Sequence, residues 1–148
     1  MSFGFSVGNL VAVQLVLQKA ASKVLNLQTL DASAFKTLEP LRSHLNSLGP
    51  FLQQLLDFGR DYGVIDSEES ERSHVVKKAE ETCQALESTL TDLIQLIESL
   101  QPEEAERPIP SRRRARWRFS LVEHRFKAMT ERLITQENAL EYLIQAYV

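Results

Sequence analysis

The side chains that most often perform chemistry are few in this sequence and widely separated. Its three histidines, His44, His74 and His124, lie on different segments, and none stands in a metal-binding spacing such as HExxH or beside a CxxC pair. The stretch GFSVG has the letters of the GxSxG turn of hydrolases, but no strand alternation precedes it, and the GxxxxGK[ST] loop that holds phosphates is absent from the sequence. These observations predict a protein that is not an enzyme and that binds no metal and no cofactor.

Cys83 is the single cysteine of the chain. Because it has no second thiol to pair with, it forms no internal disulfide, which is typical of a reducing compartment such as the cytoplasm. It falls on an apolar stripe of a predicted helix, where a buried thiol packs as a small apolar side chain. We therefore expect Cys83 to be structural and unreactive.

Charge is distributed unevenly along the chain, whose net charge is −3. Residues 1–100 carry eight basic and thirteen acidic side chains, and residues 101–148 carry nine basic and seven acidic ones. Nucleic-acid-binding domains usually have a clear basic excess, so this balance disfavours nucleic acid as a partner.

One strongly basic run stands out, because six arginines fall within residues 107–118 and are interleaved with Trp117 and Phe119. Cations at the start of a helix oppose the helix dipole, so these arginines do not stabilise the helix that follows. They can pair with acidic side chains of the chain, contact anionic lipid, bind nucleic acid or direct nuclear import. The candidates for docking on anionic lipid or on a partner are Arg112, Arg113, Arg114, Arg116 and Trp117.

The first eighteen residues carry no charged side chain from Ser2 to Gln18. A signal peptide begins with a basic segment, which is missing here, and polar residues interrupt the run, so we expect neither export nor a stable membrane span. The motif GFSVG places Gly4 and Gly8 at the spacing that lets helices approach closely in membranes. The alternative is a flexible arm that folds Phe3 and Phe5 onto the protein.

Four segments repeat apolar residues at alternating steps of three and four, which is typical of helices packed in a bundle or coiled coil. Asp31 or Ser33 is suited to cap the second helix, and Pro50 predicts a kink or a split within it. Residues 101–116, rich in proline and arginine, are predicted to be a linker. The predicted helices are Val7–Leu27, Ala34–Tyr62, Ser70–Leu100 and Trp117–Tyr147.

The predicted fold is all-α: residues 1–148 form a single domain, an antiparallel bundle of four long helices. Val11, Leu15 and Val16 are apolar residues outside the stripe of the first helix. A helix that is apolar on all sides is normally buried, so the first helix is predicted to be central in the bundle.

Three stretches carry a resemblance to a known family. They are the leader MSFGFSVGNLVAVQLVLQKA, the helix FKTLEPLRSHLNSLGPFLQQL, and the last helix with its basic-aromatic start, RARWRFSLVEHRFKAMTERLITQENALEYLI. Together they resemble the fungal N-terminal domain found ahead of NACHT or ankyrin-repeat regions in STAND (NLR-like) proteins, which is similar to HeLo-like bundles. The chain carries no NACHT, ankyrin or amyloid segment of its own, in contrast to the full-length proteins of that family.

The resemblance implies a signalling domain of nonself recognition or regulated cell death, in which assembly releases the first helix to engage a membrane. On this hypothesis the chain is cytoplasmic and at times peripheral to membranes. The residues expected to insert are Phe3, Gly4, Phe5, Gly8, Leu10, Val11, Leu15 and Val16. The alternative is an adaptor bundle that self-associates or binds a partner protein through an exposed apolar groove, without membrane activity.

Overall fold

Four α-helices make up the computed structural model, which describes residues 7–62, 69–100 and 109–147. The helices are α1 (Val7–Gln28), α2 (Ala32–Tyr62), α3 (Glu69–Leu100) and α4 (Ile109–Tyr147). The all-α fold class and the number of helices are therefore as predicted. The first three helices agree with the predicted bounds to within two residues at each end.

The core consists of the predicted apolar stripes. On α4, Phe119, Phe126, Leu133 and Leu140 are buried and follow one another at intervals of seven residues. The same seven-residue repeat runs through the buried residues of the other three helices, and it is the pattern of helices that wind around each other with a left-handed twist. The largest fully buried side chains are Leu10, Leu38, Leu41, Leu45, Leu48, Leu52, Leu55, Leu86, Leu90, Leu93, Ile97 and Phe126.

The four helices occupy the corners of a square in cross-section. α1 packs against α2 and α3, and α4 packs against the same two helices, whereas α1 does not contact α4. Cross-helix contacts give the directions: Gln28 contacts Glu39, and Gln14 contacts Gln53, so α1 and α2 are antiparallel. The Lys23–Glu98 ion pair joins the carboxyl-terminal ends of α1 and α3, which are therefore parallel.

α1 is apolar as predicted, but the prediction that it is the central helix is wrong. No helix is central in this arrangement, because each one faces two neighbours and the solvent. Of the apolar residues of α1 outside its stripe, Val11 and Leu15 are accordingly exposed, whereas Val16 is partly buried against the core. The physical reason is that four helices of this length pack around a shared axis, which leaves every helix with an outer face.

α2 does not divide at Pro50 but runs unbroken through both Pro40 and Pro50. A proline inside a helix removes the hydrogen bond to the carbonyl four residues earlier, here that of Lys36 or Asn46. Both prolines and both of these residues are exposed, so water can satisfy the freed carbonyls. The buried leucines of α2 continue without interruption on the other side of the helix and hold it in place.

α4 begins at Ile109, eight residues before the predicted start at Trp117, so the second half of the predicted linker is helical. Pro110 falls in the first turn of α4, where its missing N–H group has no partner within the helix and its fixed backbone angle suits the helix. The proline that indicated a linker is therefore compatible with a helix start. The part of the basic run from Arg112 onward lies on the first turns of α4.

Asp31 caps the start of α2. Its Oδ1 accepts a hydrogen bond of 2.7 Å from the backbone N–H of Ala34, and its carbonyl oxygen accepts one of 3.0 Å from the N–H of Phe35. Of the two predicted candidates, the structure therefore places Asp31 in the capping position, with Ser33 inside the first turn.

Replacing Asp31 by alanine removes this cap and is expected to lower the free energy of unfolding by about 1 kcal/mol. Asp31→Asn keeps a side-chain oxygen at the same place and is expected to retain most of the stability. Ser33→Ala serves as the matched control, and chemical denaturation measures all three variants. An Asp31→Ala variant as stable as Ser33→Ala would contradict the assignment of the cap.

Candidate functional site

The predicted inserting residues divide into three groups in the structure. Phe3, Gly4 and Phe5 lie outside the described residues, and Gly8 lies in the first turn of α1. Leu10 is a fully buried core residue and Val16 is partly buried against the core. Val11 and Leu15 are exposed, by 41% and 62%. Of the predicted inserting residues whose exposure the structure describes, only these last two are therefore available at the surface of the folded bundle.

The outward side of α1 carries three exposed apolar side chains among polar ones such as Lys19 and Ser22, and we call the three, Val11, Leu15 and Leu25, the α1 outer face. Leu25 was not among the predicted residues, yet it is 54% exposed. Leu10–Gln28 is long and apolar enough to cross a membrane by length and composition, although 33% of it is buried. A core helix of a soluble bundle meets the same criterion. The additional feature of α1 is that some of its exposed side chains are apolar as well.

The start of α4 carries a second exposed surface. Of the predicted docking residues, Arg113, Arg116 and Trp117 are exposed, Trp117 by 64%. Arg112 and Arg114 belong to the same helix, and their side chains lie outside the described part of the structure.

Two exposed residues further along α4 extend this surface. Leu121 lies one turn after Trp117 and is 56% exposed, and Arg125 follows one turn later. Neither residue was predicted from the sequence, although the four-residue spacing of Leu121 from Trp117, away from the buried stripe, was a signal for Leu121. We call Arg113, Arg116, Trp117, Leu121 and Arg125 the basic-aromatic surface.

The arginines of the basic-aromatic surface take no part in the ion pairs found among the described residues. Those pairs are Lys23–Glu98, Arg42–Glu39 and His44–Glu137. The acidic residue of α4 nearest to Leu121 in sequence, Glu123, faces α2 and accepts a hydrogen bond of 2.7 Å from the Thr37 hydroxyl. The basic-aromatic surface therefore presents positive charge together with exposed apolar area.

The structure does not bring the two predicted surfaces together. α4 runs antiparallel to α1, since it is parallel to α2, so the start of α4 lies at the same end of the bundle as the end of α1. Val11 and Leu15 are at the opposite end. Because α1 and α4 are diagonal partners, their outward sides also point in opposite directions. The inserting and docking residues therefore form two separate surfaces.

Cys83 is buried among the core residues of α3, as predicted. Burial raises the pKa of its thiol to about 12, and the negative charge of Glu80 adds to this effect. The thiolate is the nucleophilic form of cysteine, so at neutral pH Cys83 is held in its unreactive form. Its contribution is packing.

One partly buried acid–base pair, not expected from the sequence, lies between α2 and α4. Nε2 of His44 is 3.0 Å from Oε2 of Glu137, although the alignment is not that of a hydrogen bond and the contact is electrostatic. Burial raises the pKa of Glu137, His44 lowers it, and Glu141 raises it again. No third titratable partner completes a catalytic arrangement among the described residues, and the pair joins two helices.

Within residues 7–62, 69–100 and 109–147, no group of three or more histidine, cysteine or acidic side chains has the arrangement of a metal site. Comparison of the chain with protein-family models, with curated proteins and with solved structures gives no match. The resemblance to the fungal N-terminal domains therefore stays a prediction from the residues quoted above. The two exposed surfaces are the structural basis for the function proposed below.

Proposed function

We propose that this chain is a non-enzymatic, cytoplasmic signalling domain of the fungal NLR-like type, which engages a membrane through α1 when it assembles. The observation that carries the proposal is that α1 has exposed apolar side chains in addition to its buried apolar stripe. Its inner stripe packs in the core, while the α1 outer face is exposed to water. An exposed apolar face of this kind is favoured at a surface that binds lipid or another protein.

The proposed mechanism has two states. In the resting state α1 is held by its stripe against α2 and α3, with Leu10, Val13 and Leu17 buried. On assembly α1 leaves the bundle, and its buried stripe and the α1 outer face are then exposed together on a helix that is largely apolar but also holds polar residues such as Gln18 and Lys19. Such a helix is long enough to cross the hydrocarbon core, since twenty residues of helix span about 30 Å.

Leu15→Lys tests this proposal, because Leu15 is exposed and the folded bundle tolerates a lysine there. If α1 crosses a bilayer, a further lysine within its spanning segment, which already holds Lys19 and Lys23, costs up to about 3 kcal/mol, and this corresponds to a loss of dye leakage from anionic liposomes of up to roughly a hundredfold. Ile134→Lys is the matched control. Ile134 is an exposed residue of α4, and its substitution adds the same positive charge outside α1.

Leakage by the unmodified chain and by Ile134→Lys, with loss in Leu15→Lys, is the expected result. A chain that is folded by circular dichroism and causes no leakage would contradict membrane engagement. In that case the alternative function, an oligomerisation or protein-interaction adaptor, predicts self-association in sedimentation experiments that Leu15→Lys weakens. The α1 outer face also suits this alternative, because exposed apolar side chains of a helix pack into the apolar groove of a partner protein.

A further inference from the structure

The basic-aromatic surface on α4 is not explained by the action proposed for α1. The first residues of this surface lie outside the core, because Phe119 is the first buried residue of α4 among those described. The described side chains before it, those of Arg113, Arg116, Trp117 and Arg118, are all exposed. Their exposure leaves most of a large aromatic side chain, that of Trp117, in contact with water.

We propose that the basic-aromatic surface is a docking site by which the folded bundle binds the headgroup region of an anionic lipid bilayer. Trp117 and Leu121 lie on adjacent turns, and Arg113, Arg116 and Arg125 surround them. This is the arrangement of a helix that lies in a membrane interface, where the aromatic ring sits at the level of the headgroups and the cations contact their phosphates and carboxylates.

The size of the surface favours a bilayer over a protein partner. Its apolar part consists of two side chains, Trp117 and Leu121, whereas a stable protein–protein interface buries about 800 Å² on each partner. Binding to anionic lipid needs less apolar area, because each arginine near a negatively charged bilayer adds its own electrostatic attraction. No acidic side chain of the described residues competes for these arginines through an ion pair.

This docking site adds a first step to the function proposed for α1. The biological role of the docking site rests on that proposed function. When the basic-aromatic surface lies on a bilayer, the α1 outer face points away from that bilayer, because the two helices are diagonal partners. The docked bundle therefore does not insert α1. Docking through α4 comes first, and α1 reaches the bilayer only after it leaves its place between α2 and α3.

Trp117 is the only tryptophan of the chain, so its fluorescence reports directly on this surface. The full chain is titrated with vesicles of phosphatidylserine and phosphatidylcholine, and with vesicles of phosphatidylcholine alone. We expect the emission to shift to shorter wavelength with the anionic vesicles only, and the apparent affinity to fall as salt is raised because the surface charges are screened.

Arg113→Gln/Arg125→Gln is expected to bind the anionic vesicles at least tenfold more weakly. Lys77→Gln/Lys78→Gln removes the same charge from exposed positions near the start of α3, at the far end of the bundle, and is expected to bind normally. Leu15→Lys is also expected to keep the fluorescence shift. This result separates docking from insertion, because a failure of α1 to cause leakage then leaves the docking measurement intact.

Three results would overturn the docking site. They are an unchanged emission with anionic vesicles, an equal shift with phosphatidylcholine alone, and equal weakening by the two double variants. Polyglutamate provides the remaining comparison: a shift with polyglutamate in the absence of any shift with vesicles would assign the surface to an acidic protein and overturn the assignment to lipid.

Discussion

Phe126→Ala is expected to lower the free energy of unfolding by about 3–5 kcal/mol. Phe126 is the largest of the fully buried side chains, and its ring packs against that of Phe119 with the ring centres 5.4 Å apart. Alanine removes the buried ring and leaves a cavity that the surrounding leucines fill only in part. A domain of ordinary stability, about 5–15 kcal/mol, would lose a large part of it.

The matched control is Phe35→Ala, the same chemical change at a position that is 53% exposed. Because no full cavity forms there, the loss is expected to be no more than about 1 kcal/mol. Denaturation in urea compares the two variants with the unmodified chain through their transition midpoints. Equal losses in the two variants would contradict the placement of α4, because Phe126 would then not be the core residue that the structure shows.

Gln136→Leu is expected to raise the free energy of unfolding by about 1–2 kcal/mol, the opposite sign from most substitutions. Gln136 occupies a position of the seven-residue repeat that is otherwise apolar. Its Nε2 donates a hydrogen bond of 3.0 Å to Oγ1 of Thr89, but its Oε1 is buried without a hydrogen-bond partner among the described residues. Leucine removes the unpaired oxygen and adds apolar contacts.

The substitution leaves no unpaired donor on Thr89, since its hydroxyl donates a hydrogen bond of 3.0 Å to the carbonyl oxygen of Ala85. Gln145→Leu, at an exposed position of the same helix, is the control and is expected to change stability by less than about 0.5 kcal/mol. Thermal and chemical unfolding both measure the difference. A clear loss of stability in Gln136→Leu would show that the Gln136–Thr89 bond outweighs the unpaired oxygen.

The positions of the core residues could be predicted from the sequence because they depend on local periodicity. The spacing of residues such as Leu38, Leu41 and Leu45 determines which side of a helix is apolar, and that side must be buried. The start of α4 could not be placed in the same way. Proline and arginine occur both in linkers and in the first turn of helices, so residues 109–116 fit either interpretation.

The exposure of the candidate surfaces also depended on information that the sequence does not contain. Val11 and Leu15 are apolar residues beside a stripe, and such residues are buried if another helix covers them and exposed if none does. The outcome depends on which helices are neighbours, and here α4 packs against α2 and α3 and not against α1. The separation of the two candidate surfaces follows from the same arrangement.

The polar contacts of α4 have a further consequence for the precision of the fold. Because its buried residues repeat every seven positions, α4 could slide along its neighbours by seven residues and again place apolar side chains in the core. Three contacts oppose such a slide: Thr37 with Glu123, His44 with Glu137, and Gln136 with Thr89. After such a slide, Thr89 would face Met129 or Leu143, and neither side chain has a nitrogen or oxygen atom that could form a hydrogen bond with it.

A single polar residue at a position of this kind is known to select one register of a coiled coil at some cost in stability. Gln136 therefore helps to fix one register of α4, and its unpaired Oε1 lowers the stability of the bundle in return. The Gln136→Leu chain, though harder to unfold, would depend on the Thr37–Glu123 and His44–Glu137 contacts alone to oppose the slide. In the native chain the polar contacts keep the first turns of α4, and with them Trp117, at one fixed height on the bundle.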